Sequence, residues 1–239
     1  MNSHPETAPT VLITGANRGL GLEFTRRLLM RGAHVLAACR EPARADRLHA
    51  LSDDAQDRLE ILALDVASPT AITALARSLG KRNQPLDWLI NNAGVLPSGE
   101  RFGEIDADVL DHSVRVNALA PFLLVQSLAP LLRRGRSPRV ANVSSVLGSM
   151  ARCDAFRTPS YAIAKAALNM ASVLLARALA PDGVRVVALH PGWVKTDMGG
   201  PDAELDRAVS VDGMLDTIER LTPETDGAFL DYRGEPVPW

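Results

Sequence analysis

The chain has 239 residues, a net charge of -2 and only two cysteines. That length suits one large α/β domain or two small ones, and a chain of this size buries a core without disulfide or metal staples. Acids and bases are spread along it, so it carries no electrostatic footprint for nucleic acid or a membrane surface, and Cys39 and Cys153 form no CxxC or Cys/His pattern that would hold a metal.

The first nine residues are polar and proline-containing, without an apolar core behind a basic end. They are expected to form a flexible tail, with residues 10–239 as a single domain, and the free thiols suit a cytoplasmic setting. Thr10–Thr14 is a short apolar run of buried-strand type, followed by Thr14-Gly-Ala-Asn-Arg-Gly-Leu-Gly21 and a helix that shows one face through Leu20, Phe24 and Leu28. Similar runs recur at His34–Cys39, Leu59–Leu64, Asp87–Asn91, Arg139–Val143 and Val184–His190, with helical patterns between them. One of these carries Arg115-Val-Asn117 and Pro121, which removes a helical N–H. Another carries Tyr161 and Lys165, then a face made of Leu168, Leu175 and Leu179 with the small Ala171 and Ser172. The longest apolar stretch, Leu119 to Leu132, falls short of the ~20 residues of a membrane span. Strands apolar on both sides, alternating with helices, predict an α/β fold: one Rossmann-like, doubly wound parallel sheet with helices on both faces.

The first turn is Gly15-x-x-x-Gly19-x-Gly21, placed between the first strand and the first helix. Glycines there let backbone approach a pyrophosphate, and the helix start offers free N–H groups. A dinucleotide is therefore expected on Gly15, Asn17, Arg18, Gly19, Leu20 and Gly21. The second strand ends Cys39-Arg40 with no acid for a ribose 2′-hydroxyl, and a guanidinium suits a phosphate instead. Arg40 and Arg18 thus favour NADP(H), with NAD(H) as second choice because Glu41 stands beside Arg40. Tyr161 and Lys165 lie one helical turn apart, so an ammonium faces a phenol and is expected to lower its pKa from about 10. Ser144 and Ser145 follow the fifth strand, where open α/β sheets place their active sites. His190, before Pro-Gly, reads as structural, and Cys153 has no identifiable partner.

These residues together resemble the short-chain dehydrogenase/reductase family, through TGxxxGxG at Thr14–Gly21, NNAG at Asn91–Gly94 and YxxxK at Tyr161–Lys165. The layout is most similar to carbonyl-reductase and C-factor-like members, an impression that the segment 231–239 strengthens. The resemblance implies a catalytic set of Asn117, Ser145, Tyr161 and Lys165, with Ser144 as the alternative serine and Asn117 holding a water linked to the lysine. It also implies adenine contacts at Asp65 and Val66, Asn91 bracing the central strands, and Ala93 and Gly94 leaving room for adenosine. Pro191, Gly192, Val194 and Thr196 would meet the nicotinamide side. Ala164 departs from the serine that many members carry before the lysine, and the segment between Ser145 and Tyr161 is a few residues longer than in the shortest. The expected activity is hydride transfer between NADP(H) and a small carbonyl or alcohol, without a metal, in a homodimer. Leu96, Met150, Phe156, Trp193 and Met198 lie in loops that could form an apolar substrate pocket, and Gly199-Gly200-Pro201 could form a lid. Two other readings share these motifs: a non-catalytic dinucleotide-binding signalling protein, and a sugar epimerase or dehydratase.

Overall fold

The computed structural model describes residues 8–239. Seven parallel strands form one sheet in the order β3-β2-β1-β4-β5-β6-β7. They are β1 (Thr10–Thr14), β2 (His34–Cys39), β3 (Leu59–Ala63), β4 (Trp88–Asn91), β5 (Arg139–Val143), β6 (Arg185–His190) and β7 (Phe229–Asp231). The six strands expected from the apolar runs are present, each bounded within a residue of its expected limits. The seventh is three residues long and too short to announce itself.

Alternate side chains of each strand enter separate cores. Val11, Ile13, Val35 and Ala37 pack with α1 (Gly19–Met30) and α7 (Arg207–Glu219) on one face of the sheet. Leu12, Leu36, Val140 and Val186 pack on the other face with α3 (Pro69–Lys81), α5 (Ala120–Leu132) and α6 (Pro159–Leu179). The period of two in the strands and the helices on both sides are what a doubly wound sheet requires. Strand order reverses between β1 and β4, which opens a crevice at the carboxyl ends of the strands.

Three local features refine the expectations. The tail expected at residues 1–9 falls largely outside the described residues, but Pro9 belongs to the sheet, since its carbonyl accepts the His34 N–H at 2.9 Å. Ser68 caps α3 by accepting the Ala71 N–H, with Pro69 in the first turn. Between α4 (Ala107–Val114) and α5 the helix continues through one π-helical turn, Arg115–Leu119, just before Pro121. The apolar run Leu119–Leu132 is thereby part of a longer helical stretch, Ala107–Leu132. That stretch and Pro159–Asp182 are long and apolar enough to cross a membrane by length and composition. In this fold Leu124, Leu128, Leu132, Leu175 and Leu179 of those stretches face the sheet core.

Candidate active site

The glycine turn is built as its spacing suggests. Gly15 and Gly19 have φ of +64° and +54°, a region that strains any residue with a Cβ. A Cβ on Gly21 would fall on the Gly15 carbonyl and within 2.6 Å of Asn92 Nδ2. Arg18 stands at the N-cap of α1 with extended backbone and no side-chain cap, so the first N–H groups of the helix are open to an anion. The turn is pinned from β4: Thr14 Oγ1 accepts both the Asn92 and the Ala93 N–H at 3.0 Å, and Asn92 Nδ2 donates to the Thr14 carbonyl at 2.9 Å. Asn92, the second residue of the NNAG motif, has no role assigned from the sequence, since its partners lie 78 positions away.

At the crevice's far wall, Gly192 has φ of +83°, and the Pro191 carbonyl accepts the Ser210 hydroxyl at 2.6 Å. Val194 is buried and paired with Leu205. A Cβ on Gly19 would lie 3.8 Å from Thr196 Cγ2, so the segment expected on the nicotinamide side borders the glycine turn. The stretch expected as a lid is hydrogen-bonded: Gly199 N–H donates to Thr196 Oγ1 at 3.0 Å, and the Trp193 indole N–H donates to the Gly199 carbonyl at 2.7 Å.

Arg18 and Arg40 are exposed, and neither side chain bonds to another described residue. Glu41 pairs with Arg44 at 2.9 Å, so that acid is engaged elsewhere. Asp65 turns its Oδ1 to the Ala67 N–H at 3.0 Å at the exposed end of β3, with Val66 buried beside it. The open helix start, the left-handed glycines and two unpaired guanidiniums fit a dinucleotide with an extra phosphate.

The reactive group forms where β5 ends and α6 begins. Tyr161, 8% exposed, and Lys165 are one turn apart on α6, with Lys165 Nζ 5.4 Å from the centre of the Tyr161 ring. Lys165 Nζ donates to the Val143 carbonyl at 2.7 Å, and the Ser145 side chain lies close enough to the Tyr161 phenol to lower its pKa. The Ser144 hydroxyl, by contrast, is buried and donates to Asn169 Oδ1 at 2.6 Å. The expected lowering of the phenol's pKa is not what the fold produces. Burial pushes Tyr161 up to about 12, against the lowering effect of Ser145. Burial also holds Lys165 down to about 7, so the amine is only partly charged near neutrality. His190 is pushed down to about 4, chiefly by burial, and its Nδ1 accepts the Val146 N–H at 3.3 Å. It is therefore a neutral, structural imidazole.

Asn117 lies buried in the π-helical turn. Its Oδ1 accepts the Val95 N–H at 3.0 Å, and its Nδ2 donates to the Val95 carbonyl and to Ser113 Oγ at 2.9 and 3.1 Å. The side chain is fully used in holding the strand β4 loop. Its backbone carbonyl has no α-helical donor, because the residue four positions on is Pro121. Gly94 is needed for this clamp, since a Cβ there would lie 2.8 Å from Asn117 Oδ1. Asn91 reaches across to β5, donating to Asn142 Oδ1 at 2.8 Å, and so braces the central strands.

The expected pocket residues are apolar and lie on loops at this end of the sheet: Leu96 is half-buried, and Met150, Phe156, Trp193 and Met198 are exposed. Phe156 meets Phe102 edge to face at 5.6 Å, and both rings are exposed. Glu100 was also missed; it accepts the Ser160 hydroxyl and, at 3.4 Å, the Ser160 N–H at the start of α6. Among the described residues no group of His, Cys, Asp and Glu is arranged to hold a metal.

The family profile described as "short chain dehydrogenase" matches residues 9–206, most of the chain. The chain belongs to the short chain dehydrogenase family. It is 46% identical over 155 residues to C-signal of Myxococcus xanthus, covering 65% of this chain and 93% of that protein. It is 33% identical over 235 residues to 1-hydroxy-2-glutathionyl-2-methyl-3-butene dehydrogenase of Rhodococcus sp. (strain AD45), covering 96% of this chain and 99% of that one. Among solved structures, the NADPH-bound carbonyl reductase from chicken fatty liver superposes with a TM-score of 0.91 at 35% identity, covering 97% of this chain and 99% of that one. The matched span, residues 9–206, contains the glycine turn, the NNAG loop and the Tyr161–Lys165 pair of this short chain dehydrogenase.

Proposed function

We propose that this chain is an NADP(H)-dependent oxidoreductase that reduces aldehydes or ketones and oxidises the corresponding alcohols. The observation that carries the proposal is the juxtaposition of Ser145, Tyr161 and Lys165 at the strand tips, beside a glycine turn fit for a dinucleotide. When bound, the dinucleotide supplies or accepts the hydride. Tyr161 gives its phenolic proton to the substrate oxygen during reduction. Ser145, beside that phenol, orients the same oxygen. Lys165 would hold the dinucleotide's ribose hydroxyls and stabilise the tyrosinate that forms, and the Asn117 carbonyl would keep a water that returns the proton. Positioning and preorganised hydrogen bonds carry most of the acceleration. Gly15, Asn17, Gly19, Leu20 and Gly21 would hold the pyrophosphate, and Arg18 and Arg40 the 2′-phosphate. Asp65, Val66, Asn91, Ala93 and Gly94 would hold the adenosine, and Pro191, Gly192, Val194 and Thr196 the nicotinamide side.

A panel of aliphatic and aromatic aldehydes and ketones, assayed with NADPH, tests the reading. Stoichiometric oxidation of NADPH with alcohol formed is the expected result. Tight NADPH binding with no oxidation across the panel would favour a signalling role instead, and a sugar isomerised without net oxidation would favour the epimerase reading.

Arg40→Ala is expected to weaken NADPH binding about tenfold or more while leaving NADH binding within about twofold, because one charge-assisted phosphate contact is worth roughly 1.5–3 kcal/mol. Fluorescence titration with both dinucleotides reads this directly, and equal losses for the two would remove Arg40 from the phosphate site.

A further inference from the structure

The reaction needs three groups from two elements to stay in register: Tyr161 and Lys165 on α6, and Ser145 on the loop that leaves β5. Ser145 is partly exposed and starts a short 3-10 turn, Val146–Gly148, held internally by the Leu147 N–H on Ser145 Oγ at 3.2 Å and the Gly148 N–H on the Ser145 carbonyl at 2.9 Å. Outside the turn, the Val146 N–H donates to His190 Nδ1 at 3.3 Å at the end of β6, but that bond does not reach α6.

What ties it to α6 is Asn169. This residue is 3% exposed and lies on the helix stripe 161, 165, 169, one turn beyond Lys165. Its Oδ1 accepts the Ser144 hydroxyl at 2.6 Å, and its Nδ2 donates to the Gly148 carbonyl at 3.2 Å. The amide orientation follows from chemistry, because the Gly148 carbonyl can only accept and so must face the NH2 group. One buried amide therefore holds the residue before Ser145 and the end of the turn after it. The contact is close: a Cβ on Gly148 would lie 2.8 Å from Lys165 Cβ. Lys165 holds the preceding residue through the Val143 carbonyl.

We propose that Asn169 is a positioning residue that fixes the Ser145 hydroxyl relative to the Tyr161 phenol by clamping both ends of the Ser144–Gly148 loop onto α6. The inference rests on the proposed reductase activity, and its test separates the two. In the holoenzyme with NADPH and a carbonyl substrate from the panel, Asn169→Ala should lower kcat about 10- to 100-fold, since a misplacement of about an ångström costs on the order of 100-fold. The dissociation constant for NADPH should stay within about threefold, because the glycine turn is untouched. Ser144→Ala, which removes one arm of the clamp, should lose less, and Ser144→Thr should restore activity by returning the hydroxyl.

The decisive measurement is Asn169→Ala in a Ser145→Ala background. If Asn169 acts through Ser145, the further loss in kcat should shrink to about twofold, as expected for residues that work as a unit. A loss as large in that background as in the wild type would overturn the proposal, as would Asn169→Ala with unchanged kcat. If Asn169→Ala does not fold, the same cycle is run with Ser144→Ala, and full additivity with Ser145→Ala overturns it equally. Failure of the reductase reading has a different signature: the wild type itself would then oxidise no NADPH across the carbonyl panel.

Discussion

Tyr161→Phe should lower kcat by about 1000-fold, within the 10²–10⁴-fold range of general acid–base catalysis, while NADPH affinity changes less than about threefold. The reason is how little else the substitution alters. The ring stays under Lys165 Nζ, 5.4 Å from its centre, and keeps its packing in the start of α6. Only the hydroxyl goes, and with it the interaction with Ser145 and the proton for the substrate oxygen. A water could enter in its place, but burial of the residue limits that route. The phenol's position near a pKa of about 12 suits a donor: it remains protonated at neutral pH and gives up its proton only as an alkoxide-like charge develops on the substrate. Steady-state rates with the best carbonyl from the panel, together with NADPH titration, check both halves. A variant that keeps a tenth or more of the wild-type kcat would assign the acid to another group.

The sequence made the strands legible because each is apolar on both sides and lies between helices of a different period, as in Val11–Ile13 and Val186–Leu189. The glycine turn and the Tyr161–Lys165 spacing were legible for a related reason: both are local, and their geometry follows from a turn or one helical repeat. What escaped was decided by the fold at long range. Asn92 and Asn169 look like ordinary polar residues until β4 comes beside β1 and the β5 loop folds onto α6. Glu100 gains a role only because its loop reaches the first turn of α6. The pKa of Tyr161 was expected to move the other way, since spacing reveals a neighbouring amine but neither the burial of the phenol, which raises its pKa, nor the burial that weakens the amine's charge. Pro121 did signal a disturbed helix; that the disturbance is a π-helical turn around Asn117 emerges only from the backbone.

Lys165→Met joins that burial to a second large effect, in which activity and stability move in opposite directions. The methionine fills similar space but cannot carry charge beside the phenol or bond to ribose hydroxyls, so kcat/KM should drop by roughly 100-fold or more. Stability should respond through linkage. The folded-state pKa of Lys165 is about 7, while an unfolded lysine has about 10.4, so between these values the unfolded chain binds more protons. Stability contributed by this residue therefore rises with pH across that window, and the penalty of burying the amine is fully present below about pH 7. In size the penalty is on the order of a few kcal/mol. Removing the amine removes the penalty, although the Val143 carbonyl then loses its donor at a cost of about 1–3 kcal/mol. The pH dependence is free of that offset, because the lost hydrogen bond is common to every pH. Urea unfolding of both proteins from pH 6.5 to 10 should thus show the variant gaining most over the wild type at the acidic end, with the difference closing toward pH 10. Parallel curves would mean that the amine is better solvated than its burial implies, and the account of a partly charged lysine beside the phenol would fall with them. A closing difference would identify Lys165 as a group kept for chemistry at the expense of the fold.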